Sequence, residues 1–520
     1  MSTMEKATAT TPRRLMLKMD ILLMSLTTIA FGLQYYDKAI LGSASIFGIL
    51  ADLDLAQPLP GGKTSLKRYS TASSAFYWGY LVAALPLSLL VQRMRLNWFL
   101  GGAIMLWGFI AILTPVVADY RGLIAQRFFL GAVESAVSPG FILVTRMWYV
   151  KDETPVRLGI WYSSTGLFSI FSGLVNYGIG KAASKPGSSI APWKAMYIFA
   201  GGITILFGVV VLFIIPPSPQ RDPLLKIRGF NTFTLTEKAE LARRTRADRN
   251  LVPADHSLSK EDEKEYVEDT ATTTTDSVTG ANQRGWSRAQ CIEALRDYKM
   301  YIFLLQSTAL YITNGGVTSF GSIILKSFGY SSLRTIILQT PAGATTAVGI
   351  YVVTYLARKT KYSLHALLAL SCLPTLAGAI MIWKSDWSNR GVPLAGFYLL
   401  SIFGAPFVLL LSSATANVRG STKQSLASAV IFIGYNIGNI VGPYLVKAPQ
   451  AAQHYRDIFL SIVICMCITI FLSGVLAVSM HFENRARDRE QAAQQPSVAA
   501  ASSQDDDLTD IQDRRFRYTI

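Results

Sequence analysis

The chain has 520 residues, 51% hydrophobic and only 16% charged, with a mean hydropathy of +0.32. Soluble proteins carry about 25% charged residues, so this composition excludes a string of soluble domains and places the chain in lipid. The net charge of +16 does not point to a nucleic acid. Lys and Arg gather in the cytoplasmic loops of membrane proteins, and no basic stripe interleaved with aromatics is present.

Residues 1–19 are polar through Lys18 and lack the short apolar core and small-residue cleavage site of a secretory signal. The first span is therefore expected to act as its own insertion signal. About twenty apolar residues cross a bilayer. On that criterion the pattern predicts an all-α membrane protein with spans near 20–50, 70–92, 96–117, 120–148, 157–180 and 193–215. A second set follows near 299–325, 332–357, 363–383, 392–415, 425–447 and 456–479. The first span is long and is expected to tilt or break after Asp37-Lys38. Two sets of six, 20–215 and 299–480, separated by a polar stretch at 216–298, suggest two six-helix halves. The bias of Lys and Arg puts both termini in the cytoplasm.

The central stretch opens with Pro216-Pro217-Ser218-Pro219, a helix stop. Thr234-Leu-Thr-Glu237 has the form of a capping box opening a short charged helix to about Asp248. The acidic, threonine-rich run from Pro253 to Gly280 has too little apolar surface to fold. Trp286-Ser287 with Cys291, Ile292 and Leu295 suggests an amphipathic helix leading into span seven. Residues 481–520 are polar and are expected to be a disordered cytoplasmic tail.

Ionisable groups within a membrane are costly and mark function by default. Span one holds Asp37 and Lys38, and span four holds Arg127 and Glu134. Seven residues is nearly two helical turns, so Arg127 and Glu134 share a face about 10 Å apart. Spans seven to twelve offer neutral groups in their interiors, among them Asn314, Gln339, Ser412, Ser413, Asn436 and Asn439. Two cations on a shared cavity suit an anion, and Arg127 can hold a carboxylate through two parallel hydrogen bonds. Carboxylates in a desolvated cavity can load and release protons. The competing reading is that the four charges are internal ion pairs that pin helices, although buried pairs stabilise poorly compared with apolar packing.

Glycines crowd span five (Gly159, Gly166, Gly173, Gly178, Gly180) and the end of span eleven (Gly434, Gly438, Gly442, before Pro443). They permit close helix contact and bending; ordinary tight packing explains them equally well. Tyr77, Trp78, Tyr80, Trp161 and Tyr311 are candidates for lining a cavity, with interhelical packing or interface anchoring as the alternative. Cys291, Cys372, Cys465 and Cys467 lack metal-ligand spacing, and Cys465 and Cys467 read as packing residues in an apolar helix. There is no nucleophile elbow, phosphate loop or zinc spacing, and His256, His365, His454 and His481 are scattered. An enzyme is not expected, nor is a metal or cofactor.

Several strings together resemble one family. They are Tyr36-Asp37-Lys38 through Gly48 to Asp52-Leu-Asp-Leu, Arg127-Phe-Phe-Leu-Gly131-Ala-Val-Glu134 with Pro139-Gly140, Trp148-Tyr149 with Arg157, Trp286 through Asp297, Asn417 through Lys423, and Tyr435 through Pro443. The set resembles the major facilitator superfamily, in particular its anion:cation symporter branch and the fungal allantoate-permease-like transporters. Between spans two and three, Val91-Gln-Arg93-Met-Arg95 stands where that superfamily carries Gly-x-x-x-Asp-Arg-x-Gly.

The resemblance implies that Asp37 and Glu134 are protonated in turn, and that Lys38 and Arg127 hold an anionic substrate. Tyr77, Tyr311, Asn314 and Asn436 are the further candidates for substrate contact. Asn417 and Lys423 are candidates for a cytoplasmic gate, or else a capped turn carrying inward charge. The function expected is proton-coupled uptake of a small organic anion, such as allantoate, nicotinate or an amino-acid derivative, by a monomer in the fungal plasma membrane. Its partners are that substrate, protons and the lipid bilayer. The alternatives are an exporter of an acidic metabolite and a nutrient sensor with little transport.

Overall fold

The computed structural model describes residues 13–248, 287–493 and 507–520, apart from residues 92, 151–152, 154–156, 158–159, 161–163, 186, 228–229 and 360–363. The threonine-rich run expected to be unfolded, the first twelve residues, Gly159, Trp161 and Trp286 lie outside the described residues.

The long helices are α1 (Ser25–Ser45), α2 (Lys67–Leu90), α3 (Leu96–Ile112), α4 (Tyr120–Glu134), α5 (Ser164–Ala183) and α6 (Pro192–Ile214). After the central stretch come α7 (Tyr298–Ser327), α8 (Ser332–Lys359), α9 (Leu364–Lys384), α10 (Gly404–Asn417), α11 (Ser421–Leu445) and α12 (Arg456–Ala493). Ten helical stretches among the described residues are long and apolar enough to cross a membrane. Helices α5 and α7 fall outside that set because they carry more polar residues. In α7, Gln306, Ser307, Thr313 and Asn314 are buried against neighbouring helices, a setting in which a polar side chain can find a partner.

The first helical run starts at Arg13, passes through a π-helical turn at Asp20–Met24, and ends at Ser45. The expected break falls at Gly48, whose φ of +108° suits a residue without a Cβ, and a short helix Ile49–Asp52 follows. An exposed hairpin comes next, with Gln57–Leu59 antiparallel to Lys63–Ser65. The all-α expectation omits it; Gly61 and Gly62, at φ +80° and +72°, make its turn.

Within the halves, α2 packs on α4, α3 on α6, α7 on α11 and α9 on α12. The contact of α2 with α4 is backbone-close: a Cβ on Gly131 would lie 1.9 Å from the Phe76 carbonyl oxygen, and one on Gly79 the same distance from that of Phe128. Between the halves, α1 meets α7, α2 meets α11 and α5 meets α8. The glycines of span five serve that last contact. A Cβ on Gly166 would meet Ala347 and Gly343 of α8, and one on Gly173 would meet Thr340, while Gly178 faces open space.

Hydrogen bonds joining the halves gather at the end opposite Arg13 and Ile520. Tyr69 Oη donates to the Ser319 carbonyl (2.5 Å), Ser70 Oγ to that of Pro443 (2.9 Å), Ser74 Oγ to that of Ile440 (2.8 Å) and Ser332 Oγ to that of Ile46 (3.1 Å). The Ser73 and Ser319 hydroxyls also bond.

Beyond the last expected span the structure departs from the sequence reading. Helix α12 continues to Ala493, and residues 507–520 fold back on the C-terminal half, with Thr509 and Asp510 buried. The disordered-tail expectation does not hold for these residues. They are poor in apolar side chains, but their charges and amides find buried partners on helices far away in sequence.

Candidate substrate and proton site

Asp37 and Lys38 project from α1 toward α4, where Arg127 and Glu134 lie two turns apart. The four form crossed pairs. Lys38 Nζ donates to Glu134 Oε1, and Arg127 Nη1 lies 3.9 Å from Asp37 Oδ2, an ion pair too long for a hydrogen bond. The spacing on α4 thus brings each of its charges to the opposite charge on α1. Asp37 and Arg127 are each 3% exposed and Glu134 is fully buried, while the Lys38 side chain keeps 15% exposure. The Phe76 ring of α2 underlies both cations, with its centroid 5.2 Å from Lys38 Nζ and 5.4 Å from Arg127 Cζ, a cation–π arrangement. Gln34 Nε2 donates to the Glu134 carbonyl oxygen at 3.2 Å.

The pairing is incomplete. Both Asp37 oxygens, Arg127 Nε and Nη1, and Glu134 Oε2 are buried without a hydrogen-bond partner. An unsatisfied buried polar group costs about 1–3 kcal/mol, and a charged one more. A cluster serving only to pin helices would be better placed with those atoms bonded. As arranged, it keeps donors on Arg127 and acceptors on Asp37 and Glu134 open to other chemistry. Trp107 Nε1 of α3 and Tyr197 Oη of α6 are also buried without partners, near Asp37. Sequence reasoning missed Phe76, Trp107 and Tyr197, because an aromatic in a span carries no signal separating a site from packing.

A cavity between the halves is lined by Tyr35 and Ser43 of α1, Ser169 and Ser172 of α5, and Gln339 and Thr340 of α8. Its wall is neutral and mixed, with Val317, Ile336, Phe397 and Phe403 set among these hydroxyls and amides. The charged residues lie beside it, toward the interior of the N-terminal half, and Lys38 sits one turn along α1 from Tyr35.

The candidate contact residues fall into two groups. Tyr77 and Tyr311 converge on Tyr435 of α11, with ring centroids 6.1 Å and 4.2 Å away, and Phe407 of α10 lies 4.5 Å from Tyr311. This aromatic cluster joins the halves, and Tyr435 is its missed member. Asn314 Nδ2 donates to Asn439 Oδ1 at 2.7 Å, linking α7 to α11, and Asn314 Oδ1 accepts from Thr318 Oγ1 at 2.9 Å. Asn436 Nδ2 donates to the Phe432 carbonyl, leaving Oδ1 buried and unbonded. Trp78 is half exposed on the outer surface, away from any cavity wall.

Asn417 and Lys423, the gate candidates, bind the segments that flank the C-terminal half. Asn417 Oδ1 accepts from Thr519 N at 2.7 Å, and Lys423 Nζ pairs with Glu293, Asp297 and Asp510 at 2.8–2.9 Å. These partners come from the stretch just before α7 and from the chain after α12, which returns to the acceptors and donors the two residues present.

Two bundles of apolar helices, with four buried charges inside the first, define a multi-pass membrane transporter. The chain belongs to the Major Facilitator Superfamily, which residues 27–443 match. Similar proteins include an uncharacterised transporter of Schizosaccharomyces pombe, 30% identical over 98% of this chain and 88% of its own. The allantoate permease of Saccharomyces cerevisiae is 29% identical over 98% of this chain and 86% of its own, and a thiamine pathway transporter of the same yeast is 25% identical over 96% and 85%. Among solved structures, the fold resembles a bacterial homologue of the human lysosomal transporter Spinster, inward-facing and unoccupied. The TM-score is 0.58 at 11% identity, covering 94% of this chain and all of that one. The xylose transporter of E. coli, partially occluded and inward open, gives 0.56 at 12% identity over 87% and 96%.

Proposed function

We propose that this chain is a secondary transporter coupling the uptake of a small organic anion to protons. Twelve spans in two halves alternate in access, with both termini in the cytoplasm of a fungal cell and the plasma membrane as its site. The observation that carries this reading is the set of four buried charges whose pairing leaves donors and acceptors unbonded. Arg127 and Lys38 hold the anion, and Asp37 and Glu134 exchange protons as the anion comes and goes. The neutral cavity alongside, and the aromatic cluster of Tyr77, Tyr311 and Tyr435, accommodate the uncharged part of the substrate. Similarity to an allantoate permease supports a small anionic cargo. A pH difference of one unit supplies about 1.4 kcal/mol per proton, enough for tenfold accumulation, and the potential adds about 2.3 kcal/mol per 100 mV for each proton beyond those that balance the anion's charge.

The test uses purified protein in vesicles carrying an internal pH-sensitive dye, challenged with a panel of small carboxylates. Proton entry is expected with at least one of them, uptake is expected to disappear in Arg127→Ala, and proton movement is expected to disappear in Glu134→Gln. Unchanged coupling in Glu134→Gln would return the charges to helix pinning.

A further inference from the structure

The N-terminus of α11 is built without a cap of its own. Its N-cap is Gly420, at φ +96°, which has no side chain to bond the free N–H groups of the first turn. Distant residues supply the missing acceptors. Asp507 Oδ1 accepts from Ser421 N at 2.8 Å, and Gln290 Oε1 accepts from Thr422 N and Lys423 N at 3.0 and 3.2 Å. Asp510 Oδ1 accepts from Arg419 N at 3.3 Å. Anionic side chains here also complement the positive end of the helix.

From this anchor the last fourteen residues cross the end of the half, touching one helix after another. Asp510 pairs with Lys423 of α11 and Lys299 of α7, and Tyr518 Oη donates to Asp510 Oδ2 at 2.9 Å. Arg487 of α12, 1% exposed, donates to the Phe516 carbonyl at 2.9 Å, and Asn484 bonds both the N–H and the carbonyl of Tyr518. Asn417 of α10 does the same for Thr519, and the Ile520 carbonyl accepts from Leu364 N, the first residue of α9, at 2.8 Å. Five helices are tied at the end opposite the hydrogen-bonded seam between the halves.

We propose that residues 507–520 are a releasable strap that holds the terminal ends of α7, α9, α10, α11 and α12 as one block, so that the C-terminal half moves as a rigid body. The strap is releasable because ion pairs and hydrogen bonds make most of its anchor points, while its apolar contact is confined to Phe516, Tyr518 and Ile520 at one end. It does not depend on what the protein carries.

The experiment keeps the full chain and lets it fold with the strap in place. A protease site is inserted between residues 494 and 506, and the purified protein is cut after reconstitution. In the otherwise native chain the fragment is expected to stay bound, with amide exchange in the first turns of α7 and α11 unchanged. In Asp510→Asn the cut fragment is expected to wash away, and protection in those turns to fall at least tenfold. The central-stretch helix Leu235–Asp248, which bonds Lys18 through Glu237, should keep its protection, and synthetic peptide 507–520 at high concentration should restore what was lost. A fragment that leaves the native chain with no change in protection would overturn the strap. So would an Asp510→Asn fragment that stays as firmly as before.

Discussion

Within its membrane-crossing interior, the N-terminal half brings Asp37, Lys38, Arg127 and Glu134 together as crossed ion pairs. The matching interior of the C-terminal half is organised around neutral groups, with Asn314 bonded to Asn439 and Gln306 to Thr469 and Ser473. Amides and hydroxyls can fix helices against one another, but they keep one charge state. Carboxylates beside cations can change theirs when a proton or an anion arrives. On the function proposed above, the difference puts the responsive chemistry in one half and the scaffold in the other. The C-terminal half keeps its own buried charges, Lys299, Lys423, Asp297 and Asp510, at its terminal end, where each is matched.

The sharpest way to break this contrast is Arg127→Ala, which strands the Asp37 carboxylate. Transport should fall at least a hundredfold, and thermal melting should show a loss of about 3–5 kcal/mol, the usual cost of orphaning a buried charge. Adding Asp37→Asn should recover the stability and leave transport dead. Recovery of both would mean that the pair only pins helices. Next in size, Glu134→Gln should leave substrate binding within a few-fold while removing proton movement, read as dye response per substrate taken up. In the scaffold half, Asn314→Leu orphans the Asn439 amide and should cost about 1–3 kcal/mol. Its transport rate should keep the wild-type dependence on pH, and a shifted profile would put this half into the coupling as well.

Smaller effects belong to the terminal ends. Burial alone would raise the Asp510 carboxyl, but Lys299 and Lys423 outweigh it and hold it below the usual carboxylate range. A folded value below the unfolded one means that its contribution is present above about pH 4 and is lost as pH falls through the lower, folded value. Melting followed down from pH 6 should therefore show a loss only at the acid end, and Asp510→Asn should flatten it. In the central stretch, Thr234 N donates to Glu237 Oε2 and Glu237 N to Thr234 Oγ1, at 2.9 and 3.2 Å. Thr234→Ala should cost about 1 kcal/mol, seen as faster amide exchange in Leu235–Asp248 with transport unchanged.

Hydropathy located where the spans begin, because lipid imposes one length and one composition on each, but not the breaks after Glu134 and at Ser401–Phe403 or the run of α12 to Ala493. The capping box at Thr234 was equally legible, since both partners lie three residues apart. The four charges stood out because a membrane makes each of them expensive; their crossed pairing did not, since spacing along α4 says nothing about which residue of α1 faces it. The placement of Asn417 and Lys423 was hidden for a related reason. Their partners, Thr519 and Asp510, come from a segment whose polar composition reads as unfolded, and only a contact between residues far apart in the chain reveals otherwise. Trp107, Tyr197 and Phe76 were invisible because aromatic residues look alike wherever they pack.

The seam that closes the halves opposite the strap is made of serine and tyrosine hydroxyls donating to backbone carbonyls. None of these groups changes protonation between mildly acidic and neutral pH, and each bond is worth only about 1 kcal/mol net against water. Such a latch is acid-blind and cheap to unfasten: souring the medium on that side leaves its grip as it was, and water can replace it bond by bond. On the proposed coupling, a pH gradient acts through the interior carboxylates and leaves this latch untouched, which keeps the energy source and the door mechanically separate.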